Sequence, residues 1–113
     1  MVTNTEQSVA DHYTSVSLLE TILNGIKKAG KSVDSIQHED LDPLDEFHLG
    51  GREATRHFLG QMGLTREMSV LDIGCGLGGA ARFCAIEYGS ILSGIDLTQE
   101  FIETGKTLTS WLK

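Results

Sequence analysis

Val70-Leu71-Asp72-Ile73-Gly74-Cys75-Gly76-Leu77-Gly78-Gly79 decides the reading of this chain. An apolar run broken by one carboxylate leads into glycines at every second position. That is the pattern of a short buried strand that turns sharply and opens a helix. Gly74, Gly76 and Gly78 admit backbone angles closed to other residues and, lacking a Cβ, let the main chain approach a ligand closely. The N–H groups at the start of the following helix are then free to meet the polar end of a cofactor. A second apolar run, Ile91-Leu92-Ser93-Gly94-Ile95, ends in Asp96, about 20 residues beyond the glycines, where a carboxylate can grip the two hydroxyls of a ribose.

The glycines alone fit two cofactors. Gly74-x-Gly76-x-Gly78 matches an S-adenosylmethionine site, and Gly74-x-Gly76-x-x-Gly79 matches the dinucleotide fingerprint equally well. The flanks separate them. Asp72 lies two residues before the first glycine, inside the strand, where its charge suits the amino group of a methionine moiety and would repel a pyrophosphate.

Together with Gly94-Ile95-Asp96-Leu97-Thr98, the opening stretch resembles motif I and the next motif of class I S-adenosylmethionine-dependent methyltransferases. Upstream, Phe47-His48-Leu49-Gly50-Gly51-Arg52-Glu53-Ala54-Thr55 resembles the Gly-Gly-x-Glu-Ala-Thr segment of the small-molecule branch that includes phosphoethanolamine and sarcosine/dimethylglycine N-methyltransferases. The likeness runs over residues 45–112. It implies S-adenosyl-L-methionine as cofactor and a small-molecule methyl acceptor, an amine first of all. Asp72, Gly74, Gly76 and Gly78 would form the cradle, Asp96 and Leu97 would hold the ribose and the adenine edge, and Phe47, His48 and Gly51 would line the methionine end. No catalytic residue and no metal ligand is singled out.

The chain has 113 residues, 40% of them hydrophobic, enough for one small domain. Only two strands are legible, whereas a class I methyltransferase sheet needs about seven and an average sheet has roughly 5–6. The expected fold is therefore the start of a Rossmann-like α/β sheet, two parallel strands with flanking helices, preceded by an N-terminal helical segment. The sheet is expected to be incomplete and the chain to be the N-terminal portion of a longer enzyme. Residues 1–44 read as a helical cap or lid and residues 45–113 as the first part of the cofactor-binding domain.

With 16 acidic against nine basic residues the formal charge is −7, the wrong sign for a nucleic-acid surface. Cys75 and Cys84 are too few for a disulfide framework and lack metal-ligand spacing, which fits a reducing cytoplasm. No run approaches the ~20 apolar residues of a membrane span, and Met1 to Gln7 has no signal-like pattern. Two rival functions share the glycines: a fragment of an NAD-dependent oxidoreductase, and a non-catalytic interaction module that associates, with itself or a partner, through an open sheet edge.

The local pattern sets the remaining expectations. Val9, Tyr13, Val16, Leu19, Leu23 and Ile26 recur at helical steps, with Ser17-x-x-Glu20 at capping-box spacing and Lys27, Lys28 and Gly30 suiting a helix end. A second helix follows Gly51, with Ala54, Phe58 and Met62 on one face and Gly63 at its end. Strands are expected at Ser69 to Ile73 and Ile91 to Ile95. A helix over Ala80 to Tyr88 should turn Ala81, Cys84, Ala85 and Tyr88 inward. Thr98 should cap a last helix whose buried stripe is Phe101, Ile102, Leu108, Trp111 and Leu112.

Overall fold

β-Branched and aliphatic residues at Ser69–Ile73 and Ile91–Ile95 form strands β1 and β2, which pair in parallel from Ser69 opposite Ile91 to Ile73 opposite Ile95. A parallel pair cannot be closed by a tight turn and needs a crossover. Here the crossover is the glycine turn and a helix over Gly79–Tyr88. The structure is a computed structural model and describes residues 17–45 and 51–112. Its helices are α1 (Leu18–Lys28), α2 (Asp42–Asp45), α3 (Gly51–Gly60), α4 (Gly79–Tyr88) and α5 (Gln99–Leu112), with a single 3₁₀ turn at His38–Leu41. Among the described residues, five helices and a two-stranded open parallel sheet are consistent with a partial Rossmann-like α/β fold, as the sequence implies.

The chain forms two compact units, residues 1–35 and 36–113. In the first, Ser17 caps α1 by accepting the Glu20 N–H at 3.1 Å, and Lys27 and Lys28 occupy the last turn, where cations suit the exposed carbonyls. The buried residue of α1 is Ile22, while Leu23, expected on the apolar stripe, is exposed. The inward face runs through Leu18, Leu19, Ile22 and Ile26 instead, so the stripe is rotated by about one position. Val9, Tyr13 and Val16 lie outside the described residues.

In the second unit the core gathers around Phe83. Its ring meets Tyr88 edge-on at 6.4 Å between centroids, and the Arg52 guanidinium lies 4.9 Å from its centre. Arg52 also donates twice to one Asp42 carboxylate oxygen, at 2.6 and 3.1 Å, fixing α3 to α2. Ile36, Leu41, Cys84 and Leu108 complete the buried apolar set.

The two sides of the sheet differ. Val70, Asp72 and Leu92 are half-buried on the side that α4 covers, whereas Leu71, Ile73, Ile91 and Ile95 on the other side are 57%, 76%, 63% and 51% exposed. Alternating side chains of a strand point to opposite faces, so one face of both strands carries four large aliphatic side chains in solvent.

Two inward assignments and one helix end change. Ala85 is exposed, and α4 buries Arg82 and Phe83 beside Cys84. Phe101 is exposed, and α5 buries Thr104, Gly105 and Leu108, because this helix docks through its small residues. Helix α3 ends at Gly60, and the turn through Gly63 follows it. Ala54 and Phe58 lie on α3 and Met62 in the turn beyond its end, and all three line the same cavity.

Candidate functional site

The turn after β1 is fixed by its own backbone. Gly74 and Cys75 both donate N–H groups to the Ile95 carbonyl, at 2.8 and 2.9 Å, so the end of β2 holds the start of the loop. Gly74, Gly76 and Gly78 stand at φ of 75°, 57° and 87°. In that left-handed region an L-residue costs roughly 1–2 kcal/mol, which explains glycine at alternate positions of this turn. The Gly78 N–H returns to the Cys75 carbonyl at 2.9 Å, and Gly78 then serves as the N-cap of α4. Beside Gly74 and Gly76 the space that a side chain would fill is open.

Asp96, directly after β2, closes the arrangement. One carboxylate oxygen accepts the Gly76 N–H at 2.9 Å and the other accepts the Thr98 N–H at 2.8 Å. These two bonds, that from Thr98 first, hold its carboxyl below the usual carboxylate range. An ionised carboxylate offers about four acceptor positions, so each oxygen can still take a hydroxyl. Around it Ile73, Gly74, Ile95, Leu97 and Thr98 line a cleft of about 650 Å³, and the Leu97 side chain stands fully in solvent at its edge.

The structure thus brings Gly74, Gly76, Asp96 and Leu97 together at the carboxyl ends of the strands, where ligands of open α/β sheets bind. Gly78 sits at the head of α4 and does not line this cleft. Asp72 faces elsewhere. It lines a largely apolar cavity of about 410 Å³ with Thr55, Phe58, Met62, Ala81 and Cys84, and burial pushes its carboxyl up. Gly51 opens α3 at φ 56°. Phe47 and His48 lie outside the described residues.

Sequence reasoning passed over Arg82, Gly105 and Thr109, which meet behind the loop. The signal for the first was a single charge within the apolar run Ala80 to Ile86, and for the second a glycine inside a helix. Among the described residues no His, Cys, Asp and Glu are grouped in a way that could hold a metal ion, and no helix is long and apolar enough to cross a membrane.

These features suit an adenosyl ligand. The carboxylate with spare acceptor positions matches a diol, the exposed Leu97 offers an apolar surface to a base, and the side-chain-free Gly74 leaves room between them.

No protein-family model matches the chain. Individual proteins do. It is 42% identical over 72 residues to phosphoethanolamine N-methyltransferase 1 of Zea mays, covering 64% of this chain and 14% of that protein. It is 40% identical over 53 residues to the phosphoethanolamine N-methyltransferase of Plasmodium falciparum (isolate 3D7), covering 47% of this chain and 20% of that protein. A probable fatty acid methyltransferase of Pseudomonas putida is 40% identical over 65 residues, 58% of this chain and 16% of the relative. The chain therefore spans 14% to 20% of the length of these three relatives. What these proteins share in name is methyl transfer, and it is to methyltransferases that this chain is similar.

Proposed function

We propose that this chain is the cofactor-binding portion of an S-adenosylmethionine-dependent methyltransferase that acts on a small molecule, an amine in the first instance. The observation that carries the reading is the Asp96 carboxylate, pinned by the Gly76 and Thr98 N–H groups at the edge of a cleft shared with Gly74 and Leu97. In it Asp96 holds the ribose hydroxyls and Leu97 covers the adenine edge. The backbone of Gly74, Gly76 and Gly78 shapes the methionine end, to which Phe47, His48 and Gly51 also belong in the family pattern. Asp72, two residues before the first glycine, belongs to the family pattern as a negative charge, and its side chain lines the neighbouring cavity rather than this cleft.

S-adenosylmethionine, when bound, supplies an electrophilic methyl group on sulfur, so the chemistry is largely the cofactor's. The protein's part is to hold and orient, which can account for on the order of 7–11 kcal/mol of a barrier. An amine acceptor must also lose a proton to a positioned base, and none of the described residues is assigned that role. The relatives' names divide between phosphoethanolamine and fatty acid acceptors, which supports a shared donor site with an acceptor pocket set by other residues. Cys75 and Cys84 are free thiols, which supports a reducing, cytoplasmic setting as part of the same reading.

The test is isothermal titration of the 113-residue chain with S-adenosylhomocysteine, with NADH as the competing candidate. Binding of the former alone is expected. A preference for NADH, or a folded chain that binds neither, would overturn the assignment.

A further inference from the structure

Arg82 is a charged side chain placed where charge is costly. It is 7% exposed, on the buried face of α4 beside Phe83 and Cys84. One guanidinium nitrogen, Nη1, donates to the Leu77 carbonyl at 2.7 Å, to the Thr109 hydroxyl at 3.1 Å and to the Gly105 carbonyl at 3.3 Å. The first partner lies in the middle of the glycine loop and the other two lie on α5. Thr109 in turn donates to the Gly105 carbonyl at 2.9 Å.

The Leu77–Gly78 peptide is consequently held at both ends, its carbonyl by Arg82 and its N–H by the Cys75 carbonyl. Helix α5 comes close enough to share Arg82 because Gly105 has no side chain. A Cβ there would lie 2.6 Å from the Leu77 carbonyl oxygen, well inside contact distance. Helix α5 starts at Gln99, three residues after Asp96. One buried cation therefore ties together the loop on one side of the cleft and the helix that leads away from the carboxylate on the other.

We infer that Arg82 is a positioning residue: through the Leu77 carbonyl it locks the glycine loop at a fixed separation from α5 and so sets the span between the two ends of the donor site. What the loop would hold rests on the methyl-donor reading above; that Arg82 locks it does not. A ligand that touches both ends should feel the loss of Arg82, and one that touches only the Asp96 end should not. A guanidinium can bond in several directions at once, whereas an ammonium is a compact point charge, so lysine should replace it only in part.

The experiment compares the unsubstituted chain with Arg82→Met, Arg82→Lys and Thr109→Val. It reads two quantities: amide exchange of Gly78 against β1 in the ligand-free chain, and calorimetric affinity for S-adenosylhomocysteine against adenosine. Arg82→Met is expected to speed exchange at Gly78 at least tenfold with β1 unchanged, and to weaken S-adenosylhomocysteine at least tenfold with adenosine within twofold. Arg82→Lys should fall between. Thr109→Val, which leaves the Leu77 bond in place and spares the core, should shift both quantities in the same direction by less. Unchanged exchange at Gly78, exchange raised equally in β1, or equal weakening of both ligands would overturn the inference. If the unsubstituted chain binds neither ligand, the methyl-donor reading falls, while the exchange data still decide whether Arg82 locks the loop.

Discussion

Asp72 lies within β1 and Asp96 directly follows its neighbour β2, and their surroundings drive them in opposite directions. Asp96 sits at the rim, where two backbone N–H groups hold its carboxyl below the ordinary range. Asp72 points into the cavity between α3 and α4, where burial pushes its carboxyl up. The same side chain is a stable anion in one place and a strained one in the other. The difference is whether donors or carbon surround it. A carboxylate with donors already in place is ready to take hydroxyls, while a desolvated one gains most from a cation.

The largest effect should come from disturbing the loop that supports the rim. Gly105→Ala places a methyl group 2.6 Å from the Leu77 carbonyl oxygen, a backbone atom that cannot swing aside. Overpacking of this kind costs about 1–3 kcal/mol. A thermal melt should show a fall of several degrees, on the scale of ~4–8 °C per kcal/mol for a small domain. An unchanged melting temperature would mean that α5 can back away from the loop.

Removing the rim carboxylate comes next. Asp96→Ala should weaken S-adenosylhomocysteine at least tenfold, as read by calorimetry, and unchanged affinity would remove Asp96 from the donor site. The matching change in the cavity, Asp72→Asn, should leave the melting temperature at neutral pH equal or higher, since it relieves a buried charge. A clear drop in stability would show that the Asp72 charge is compensated in the fold.

Acid titration sharpens the contrast, because the two carboxyls are shifted in opposite directions. Asp96, with a depressed folded pKa, contributes stability that is present above its unfolded pKa and is lost as pH falls through the folded one. Asp72, with a raised folded pKa, carries a penalty that is full above that value and fades as pH falls towards the unfolded one. Melts of Asp96→Asn and Asp72→Asn across mildly to strongly acidic pH should therefore diverge from the parent in opposite senses. Parallel curves would remove the distinction between the two sites.

The smallest effect is expected on the uncovered side of the sheet. Ile73 is 76% exposed, so Ile73→Lys should change stability by no more than about 0.5 kcal/mol. It should also lower any self-association measured by sedimentation, since an exposed apolar strand face favours assembly. A large loss of stability in dilute solution would show that this face is covered there.

Much of the molecule is written locally in its sequence. Both strands fall where alternation and apolar runs place them, at Ser69–Ile73 and Ile91–Ile95. The Ser17 cap and the turn glycines are likewise decided within a few residues, because hydrogen bonding three residues along a chain and a left-handed φ are properties of the segment itself. The link between Gly76 and Asp96 is longer in range, yet the glycine spacing and the strand that follows were enough to anticipate that they would face one site.

Only the tertiary structure decided which way Asp72 turns, which face of α5 is buried and what Arg82 does. Arg82 meets Gly105 and Thr109 at separations of 23 and 27 residues, and no periodicity in α4 foretells a partner on another helix. Phe101 and Ala85 are exposed for the same reason: helical spacing fixes which residues share a face, but not which face another element will cover. The sequence by itself determined the strand, the turn and the position of the carboxylate after it. Packing turned Asp72 into a carbon-lined cavity and brought the Gly76 N–H to Asp96, whose other donor, Thr98, lies only two residues along the chain.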